Sequence, residues 1–219
     1  MTILSCNNLI KRYKLNEAPI INGVSLSFEE KDFVSIMGRS GSGKSTLLKL
    51  LCGLLRPDEG TIECAGYSVG ILKGKELSKF RSSVIGIVFQ DSNLISDFNI
   101  QDNILTPLYI AGARPDKAYL DRLLEITEMG SFLKRMPNEL SGGQRQKAAI
   151  ARALIARPKV IFADEPTGSL DSQSELAVMR LFGAVRSELG VTIVQVTHSD
   201  VCAEASQRII RIDDGKIVQ

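Results

Sequence analysis

The chain has 219 residues, 44% of them hydrophobic, and its 27 Lys plus Arg nearly balance its 25 Asp plus Glu, for a formal charge of +2. A chain of this length has enough residues to bury a substantial core in one domain. The charge is too small and too dispersed to indicate a surface that binds polyanions, so we expect no DNA or RNA partner.

Membrane insertion is not expected of this sequence either. The start, Met1 to Asn8, lacks the basic residues and unbroken apolar stretch of a secretory signal. The apolar run 47–55 is interrupted by Lys49 and Gly53 and falls well short of the roughly 20 residues that span a bilayer. Any role at a membrane is therefore expected to come through a partner.

The four cysteines are scattered and have no companion histidine, which argues against a metal site. They are Cys6, Cys52, Cys64 and Cys202. Cys52 lies in an apolar helical run and is expected in the core, which suits a reduced, cytosolic setting.

The first ninety residues predict a mixture of strands and helices. Alternating apolar and polar residues in 3–13 and 20–28 predict strands with one solvated face, as in an antiparallel sheet. A short apolar strand, 32–37, leads directly into Gly38, and a helix is predicted over 44–55. Further strands are predicted at 60–64 and 84–89, with a short helix around 76–81 between them.

Residues 99–157 change to helical periodicity and indicate a helical lobe inserted into an α/β core. Helices are predicted over 104–110 and 118–129, with breaks at Pro107, Pro115 and Pro137.

The core resumes after this lobe. Its predicted elements are a buried strand at 160–163, a helix at 172–189, a strand at 191–196, and two C-terminal strands at 208–212 and 216–218 split by the turn 213–215. The prediction is one domain, 1–219, with 1–90 and 158–219 forming the α/β core and its antiparallel β lobe, and about 91–157 forming the helical subdomain.

A complete phosphate-loop motif, G-x-x-x-x-G-K-[ST], follows the strand at 32–37. Its residues are Gly38, Arg39, Ser40, Gly41, Ser42, Gly43, Lys44, Ser45 and Thr46. Glycines let backbone amides turn inward around phosphates, Lys44 supplies a charge to the outer phosphates, and Ser45 offers a hydroxyl to Mg²⁺. The strand and helix on either side are the context that this motif requires.

Two acidic residues, Asp164 and Glu165, directly follow the buried strand predicted at 160–163. Ligands of open parallel sheets lie at this edge. Asp164 is therefore predicted to hold Mg²⁺ and Glu165 to act as general base toward water. The alternative is that both carboxylates cap the next helix.

A second Gly-rich helix start lies far downstream, at Ser141, Gly142, Gly143 and Gln144. The Ser141 hydroxyl and the free amides of Gly142 and Gly143 form an anion site, which the helix dipole strengthens. An ordinary serine N-cap is the alternative. The phosphate loop already surrounds the inner face of its own triphosphate, so the natural target is the outer face of a triphosphate held by a second copy.

With both motifs present, the chain resembles the nucleotide-binding subunit of ATP-binding cassette (ABC) transporters from about Leu4 to the C-terminus. The resemblance implies ATP with Mg²⁺ and a homodimer that sandwiches ATP. Gln90 matches the residue that reaches Mg²⁺ or the attacking water, and His198, the only histidine, matches the switch histidine at the terminal phosphate. Asp171 matches the loop that crosses the dimer interface, and Tyr13 matches the aromatic that stacks on adenine.

Each of these four assignments has a plain structural alternative. A glutamine at a strand end is usually solvated, a lone histidine is usually structural, Asp171 could simply cap a helix, and an exposed tyrosine needs no ligand.

The resemblance also implies a separate membrane permease and a peripheral location on the cytoplasmic face of the inner or plasma membrane. The apolar Leu94, Ile95 and Phe98 form either a docking surface for that partner or part of the lobe's own core. Stretches such as 85–90 and 163–171 are similar to cassettes of lipoprotein release, macrolide or antimicrobial-peptide export, and cell division.

Two other classes of protein use the same phosphate loop. A soluble cassette ATPase of DNA repair or translation usually carries a coiled-coil insertion or a second cassette, which this sequence lacks. A small-molecule kinase would not explain Ser141 to Gln144 or His198.

Overall fold

The computed structural model describes residues 1–14 and 18–218, whose strands form two separate sheets. The strands are β1 (Thr2–Lys11), β2 (Ile21–Glu29), β3 (Phe33–Met37), β4 (Glu59–Cys64), β5 (Tyr67–Ser68), β6 (Ile85–Phe89), β7 (Val160–Asp164), β8 (Thr192–Thr197), β9 (Arg208–Asp213) and β10 (Lys216–Ile217). The helices are α1 (Lys44–Leu51), α2 (Gly74–Ser83), α3 (Ile100–Ile110), α4 (Lys117–Thr127), α5 (Gly142–Leu154), α6 (Ser172–Leu189) and α7 (Asp200–Glu204).

The smaller sheet is antiparallel throughout, with strand order β2-β1-β4-β5. Leu4, Cys6 and Leu9 of β1 are buried while intervening residues are more exposed, the pattern of a sheet with one face on the core. The predicted antiparallel N-terminal sheet is therefore confirmed.

The larger sheet has the order β10-β9-β3-β8-β7-β6, with only the edge strand β10 antiparallel. Alternate residues of its strands enter two hydrophobic clusters, one on each face. Val34 and Phe162 pack toward the antiparallel sheet and α1, whereas Phe33 and Ile161 pack toward α3, α5 and α6. Both faces are covered, which explains the continuous apolar runs of these strands.

The register of the parallel strands brings their carboxyl ends to one edge. Met37 pairs with Thr197, Asp164 pairs with Val196, and Phe89 pairs with Asp164. The loops that follow β3, β6, β7 and β8 therefore leave the sheet side by side.

The helical block between β6 and β7 contains α3, α4 and α5, and one prediction for it was wrong. No break occurs at Pro107, which lies inside α3. Pro107 removes the bond to the Asn103 carbonyl and crowds that carbonyl, but burial of Ile100, Ile104 and Leu105 in the core holds the helix. The Ala111 amide still donates to the Pro107 carbonyl at 3.1 Å.

Helix α1 is shorter than the predicted 44–55. It ends at Leu51 because Gly53 adopts a left-handed conformation, with φ of 71°. The short helix α7, directly after β8, has no counterpart among the sequence predictions.

Candidate active site

The loop 38–43 between β3 and α1 is held by backbone contacts with neighbouring segments. Gly43 has a φ of 101°, and a Cβ there would lie 2.7 Å from the Ile20 carbonyl oxygen. The Gly215 amide, in the turn between β9 and β10, donates to the Ser42 carbonyl at 3.1 Å. Glycine at position 43 is therefore required by both backbone conformation and space.

Helix α1 begins without a side-chain cap, because the residue at its N-cap is Gly43. Lys44 is 6% exposed and its Nζ donates to the carbonyls of Gly38 and Arg39, each at 2.9 Å. An ammonium has three N–H groups, so one remains for a ligand. The buried hydroxyl of Ser42 has no hydrogen-bond partner among the described residues. This loop is thus a concentration of donors that suits a phosphate chain.

Ser45 and Asp164 bring two oxygen donors together beside this loop. The Ser45 hydroxyl donates to Asp164 Oδ1 at 2.8 Å. A hydroxyl and a carboxylate are the hard ligands that Mg²⁺ prefers alongside water and substrate phosphates. The pair therefore fits a magnesium site, although no group of three or more His, Cys, Asp or Glu suited to a metal occurs among residues 1–14 and 18–218.

Glu165 and His198 face each other at the carboxyl edge of the large sheet. Glu165 Oε2 lies 3.2 Å from His198 Nδ1, with the glutamate side chain 25% and the histidine side chain 64% exposed. Glu165 has a φ of 48°, unusual for a residue with a side chain, and its amide donates to the Val196 carbonyl at 3.0 Å. The structure thus brings the predicted base and switch histidine into contact.

A cavity of about 220 Å³ lies against the phosphate loop and reaches Glu165. Lys44, Ser45, Thr46, Glu165 and Tyr13 all contribute to its lining. Tyr13 is 60% exposed, and its hydroxyl lies 3.1 Å from the hydroxyl of Thr46. An aromatic ring at the rim of a phosphate-binding cavity can stack on a base.

Gln90 follows β6 and lies against the loop after Glu165. A Cβ placed on Gly168 would be 3.0 Å from the Gln90 amide nitrogen. The predicted contact with Mg²⁺ or water is compatible with this position, since the neighbouring strand end carries Asp164.

The downstream glycine segment starts α5, and Ser141 caps it. The Gln144 amide donates to the Ser141 hydroxyl at 3.2 Å, and the Ser141 amide donates to Gln144 Oε1 at 2.9 Å. This reciprocal pair is a capping box. Ser141 is therefore an ordinary N-cap of α5, as the structural alternative to an anion site requires.

Residues 141–144 do not line the cavity at the phosphate loop. Gly142 instead lines a separate cavity of about 370 Å³ together with Gln90, Ser169 and Leu170. Asp171 caps α6 by accepting the amides of Gln173 and Ser174 at 3.0 and 2.9 Å. The two glycine-rich helix starts thus face different cavities of one chain.

Two residues of α5 that were not predicted from the sequence hold the end of β6 and the segment after it. The buried Gln146 donates to the Phe89 carbonyl at 2.9 Å. Arg152 donates to the carbonyls of Asn93 and Ser92 at 2.6 and 2.7 Å. The available signal was weak, because a glutamine or arginine on a helix is usually solvated.

The cysteines are all free and buried. Burial raises the pKa of Cys6 and Cys52 to about 11 and that of Cys64 to about 12, so these thiols stay protonated. Cys52 lies in the core as predicted. Every helix of the described residues is too short or too polar to cross a bilayer.

Comparisons with known proteins agree with this arrangement. Residues 21–168 match the family model of the ABC transporter. The lipoprotein-releasing system ATP-binding protein LolD of Bacteroides fragilis is 43% identical over 202 residues, covering 91% of this chain and 93% of that protein. The bacitracin export ATP-binding protein BceA of Halalkalibacterium halodurans is 42% identical over 222 residues, covering 99% of this chain and 87% of that protein.

The macrolide export ATP-binding/permease protein MacB of Rhodopirellula baltica is 41% identical over 217 residues, which are 96% of this chain but only 32% of that longer protein. The solved dimeric structure of a bacterial ABC transporter cassette superposes with a TM-score of 0.87 at 39% identity, covering 99% of this chain and 97% of that one. A post-hydrolysis dimer bound to ADP and Pi gives the same values. With a family model over more than half of its residues and full-length relatives above 40% identity, the chain belongs to the ABC transporter family and is an ATP-binding, ATP-hydrolysing cassette.

Proposed function

We propose that two copies of this chain clamp two ATP molecules, each between the phosphate loop of one copy and the Ser141–Gln144 segment of the other. The observation that carries the proposal is that residues 141–144 lie outside the phosphate-loop cavity of their own chain. A helix N-terminus that faces elsewhere is free to complete a site on a second copy. The dimeric structures of the related cassettes support this assembly.

The phosphate loop supplies the inner half of each site. Lys44 and the uncapped start of α1 bind the phosphates, and the Tyr13 ring stacks on the base. Ser45 and Asp164, with Gln90 nearby, would hold Mg²⁺. When bound, Mg²⁺ neutralises charge on the phosphate oxygens.

Glu165 acts as general base and accepts a proton from the attacking water. His198, within 3.2 Å, keeps the glutamate and the water in line with the terminal phosphate. The Ser141 hydroxyl and the amides of Gly142 and Gly143 of the second copy stabilise charge on that phosphate and exclude solvent. Asp171 lies at the start of α6, where it would cross to the other copy. Hydrolysis then removes the group that joins the two copies, and they separate.

This cycle is proposed to drive a separate membrane permease from the cytoplasmic face of the membrane. Ile95 and Phe98 are 39% and 40% exposed in the loop after Gln90, whereas Leu94 packs partly against the core. Apolar side chains exposed beside a catalytic loop form a surface suited to a partner helix. The names of the relatives favour export or extraction of a lipoprotein, a peptide or a drug.

Glu165→Gln tests the dimer and the base together. The variant should bind ATP with unchanged affinity, lose about 10²- to 10⁴-fold in turnover, and accumulate as an ATP-bound dimer. Light scattering with ATP and Mg²⁺ measures the dimer, and Glu76→Gln, an exposed glutamate of α2, is the matched control. A monomer at all protein concentrations, or turnover like that of the control, would contradict the proposal.

The permease is tested by purifying the chain from membranes of its source cells. We expect a polytopic membrane protein to copurify, and Phe98→Asp to abolish copurification without changing the turnover of the isolated cassette. Turnover stimulated by DNA or RNA, with no membrane partner, would favour the soluble cassette class instead.

A further inference from the structure

Glu175, in the first turns of α6, gathers side chains from two different catalytic loops. Its Oε1 accepts from the Ser199 hydroxyl at 2.7 Å, from the Thr167 hydroxyl at 3.2 Å and from the Cys202 thiol at 3.3 Å. Thr167 comes two residues after Glu165, and Ser199 comes directly after His198. One carboxylate oxygen therefore joins the loop of the base to the loop of the histidine.

The donors around Glu175 are themselves connected. The Thr167 hydroxyl lies 3.0 Å from the Cys202 sulfur, and the Ser199 hydroxyl accepts the Cys202 amide at 3.3 Å as the cap of α7. Thr167 is 5% exposed and Cys202 is fully buried. The hydrogen bond from Ser199 is the largest cause that holds the pKa of Glu175 below its ordinary value of 4.5, so the group is a carboxylate at neutral pH.

The backbone at Glu165 needs such support. Its left-handed conformation is unfavourable for a residue with a side chain and persists only where the surroundings fix it. The Glu165 amide donates to the carbonyl of Val196, two residues before His198, and the Gly168 amide donates to the Glu165 carbonyl. These bonds fix the main chain before His198, but they do not hold Ser199 after it. Glu175 is the group that spans both loops from a long, rigid helix.

We infer that Glu175 is a positioning residue, which sets the separation of Glu165 and His198 by binding Thr167 and Ser199 at the same time. The inference rests on the proposed function, in which Glu165 is the base and His198 its partner. Because Asp171 caps α6, movement of its loop on contact with a second copy would reach Glu165 and His198 through Glu175. A shift of about 1 Å in such a pair can lower turnover by about 10²-fold.

Two substitutions of similar length separate this role from packing. Glu175→Gln keeps a carbonyl oxygen that accepts hydrogen bonds, whereas Glu175→Met fills the space without an acceptor. We expect Glu175→Met to lower kcat by about tenfold or more with the half-saturating ATP concentration within about twofold, and Glu175→Gln to retain most of the parent kcat. Glu188→Met, at the other end of the same helix, should leave both values unchanged.

A double-mutant cycle then tests the route through His198. In a His198→Ala background, Glu175→Met should add little further loss, because the pair it positions is already broken. An independent, multiplicative loss would overturn the inference, as would a Glu175→Met variant that behaves like Glu188→Met or a kcat that follows only the melting temperature.

Failure of the proposed function gives a different result. If Glu165→Gln hydrolyses ATP normally, the base is wrong whatever Glu175 does. Should Glu175→Met not fold, Ser199→Ala and Thr167→Val each remove one donor and decide the question: a lower kcat with an unchanged melting temperature supports the inference, and parental kcat in both overturns it.

Discussion

The two glycine-rich helix starts of this cassette look alike in sequence but differ in how their backbone amides are satisfied. Helix α1 begins at Gly43, which has no side chain to cap it, while α5 begins at Ser141, whose hydroxyl accepts the Gln144 amide. Amides without a cap are left to water or a ligand, whereas the cap of α5 takes up the amide of Gln144. Helix α1 thus leaves its first amides open to an anion, whereas α5 is stabilised by its own cap before any anion binds.

Their glycines differ as well. Gly43 requires a left-handed backbone and a close approach to the Ile20 carbonyl, whereas Gly142 and Gly143 have ordinary helical backbone. The first glycine is therefore a requirement of the fold. A Cβ on Gly143 would lie 2.8 Å from Ser174 Oγ, so the packing of α5 against α6 also favours glycine there. Of these two glycines, only Gly142 leaves room for a requirement imposed by a ligand or a second copy.

The largest expected effect is on the α1 side. Lys44→Ala removes the only side-chain ammonium that the described residues contribute to the phosphate-loop cavity. It should weaken ATP binding by about 3 kcal/mol or more, over about 100-fold in Kd. Isothermal titration with ATP and Mg²⁺ measures this. Lys49→Ala, in the same helix, is the control, and equal binding by both variants would remove the distinction between the two helix starts.

Ser141→Arg should act on the α5 side without touching nucleotide affinity. We expect Kd for ATP to stay within about twofold while turnover falls to the background rate, because the bulky side chain blocks the second copy. Ser141→Ala removes the hydroxyl that caps α5 and should cost about 1 kcal/mol of unfolding free energy. Turnover by Ser141→Arg close to that of the parent would show that the α5 start takes no part in a shared site.

Alanine substitutions at Gly43 and Gly142 should differ in their effect on stability. Gly43→Ala should strongly destabilise the chain, because the new Cβ would lie 2.7 Å from a backbone oxygen. Gly142→Ala should be neutral or stabilise the helix by up to about 1 kcal/mol, since its Cβ would lie 3.2 Å from the movable Leu170 side chain. Thermal unfolding compares the two. Lost turnover in a stable Gly142→Ala variant would point to close approach of a ligand.

Tyr13→Ala should have the smallest effect. A ring that is 60% exposed is expected to contribute about 1 kcal/mol of stacking, or about fivefold in Kd for ATP. Tyr13→Phe keeps the ring and loses only the contact with Thr46, so its affinity should match the parent. If Phe weakens binding as much as Ala does, the hydroxyl matters and stacking does not.

Local sequence motifs contain many residues of the candidate active site. The phosphate loop, the acids after the strand at 160–163 and the serine cap of α5 depend on nearest neighbours in the chain, so their residue types and spacing were enough to predict them. The same was true of the strands, whose apolar alternation or continuity follows from the faces that they bury.

Long-range distances do not follow from such local patterns, although the family resemblance implied that His198 helps to hold Glu165 and the water in line. The 3.2 Å approach of His198 to Glu165 depends on the neighbouring register of β7 and β8, and the grouping of Thr167, Ser199 and Cys202 around Glu175 joins segments up to 35 residues apart. The continuation of α3 through Pro107 was mispredicted because burial of that helix in the core outweighs the local cost of the proline.

The sequence by itself therefore determined which chemical groups this cassette possesses and which elements carry them, because capping, turn formation and burial of alternate side chains are local effects. Only the tertiary structure decided which of these groups meet. Parallel strand order sets the neighbours of each loop, and hydrogen bonds between side chains far apart in the chain then fix their distances.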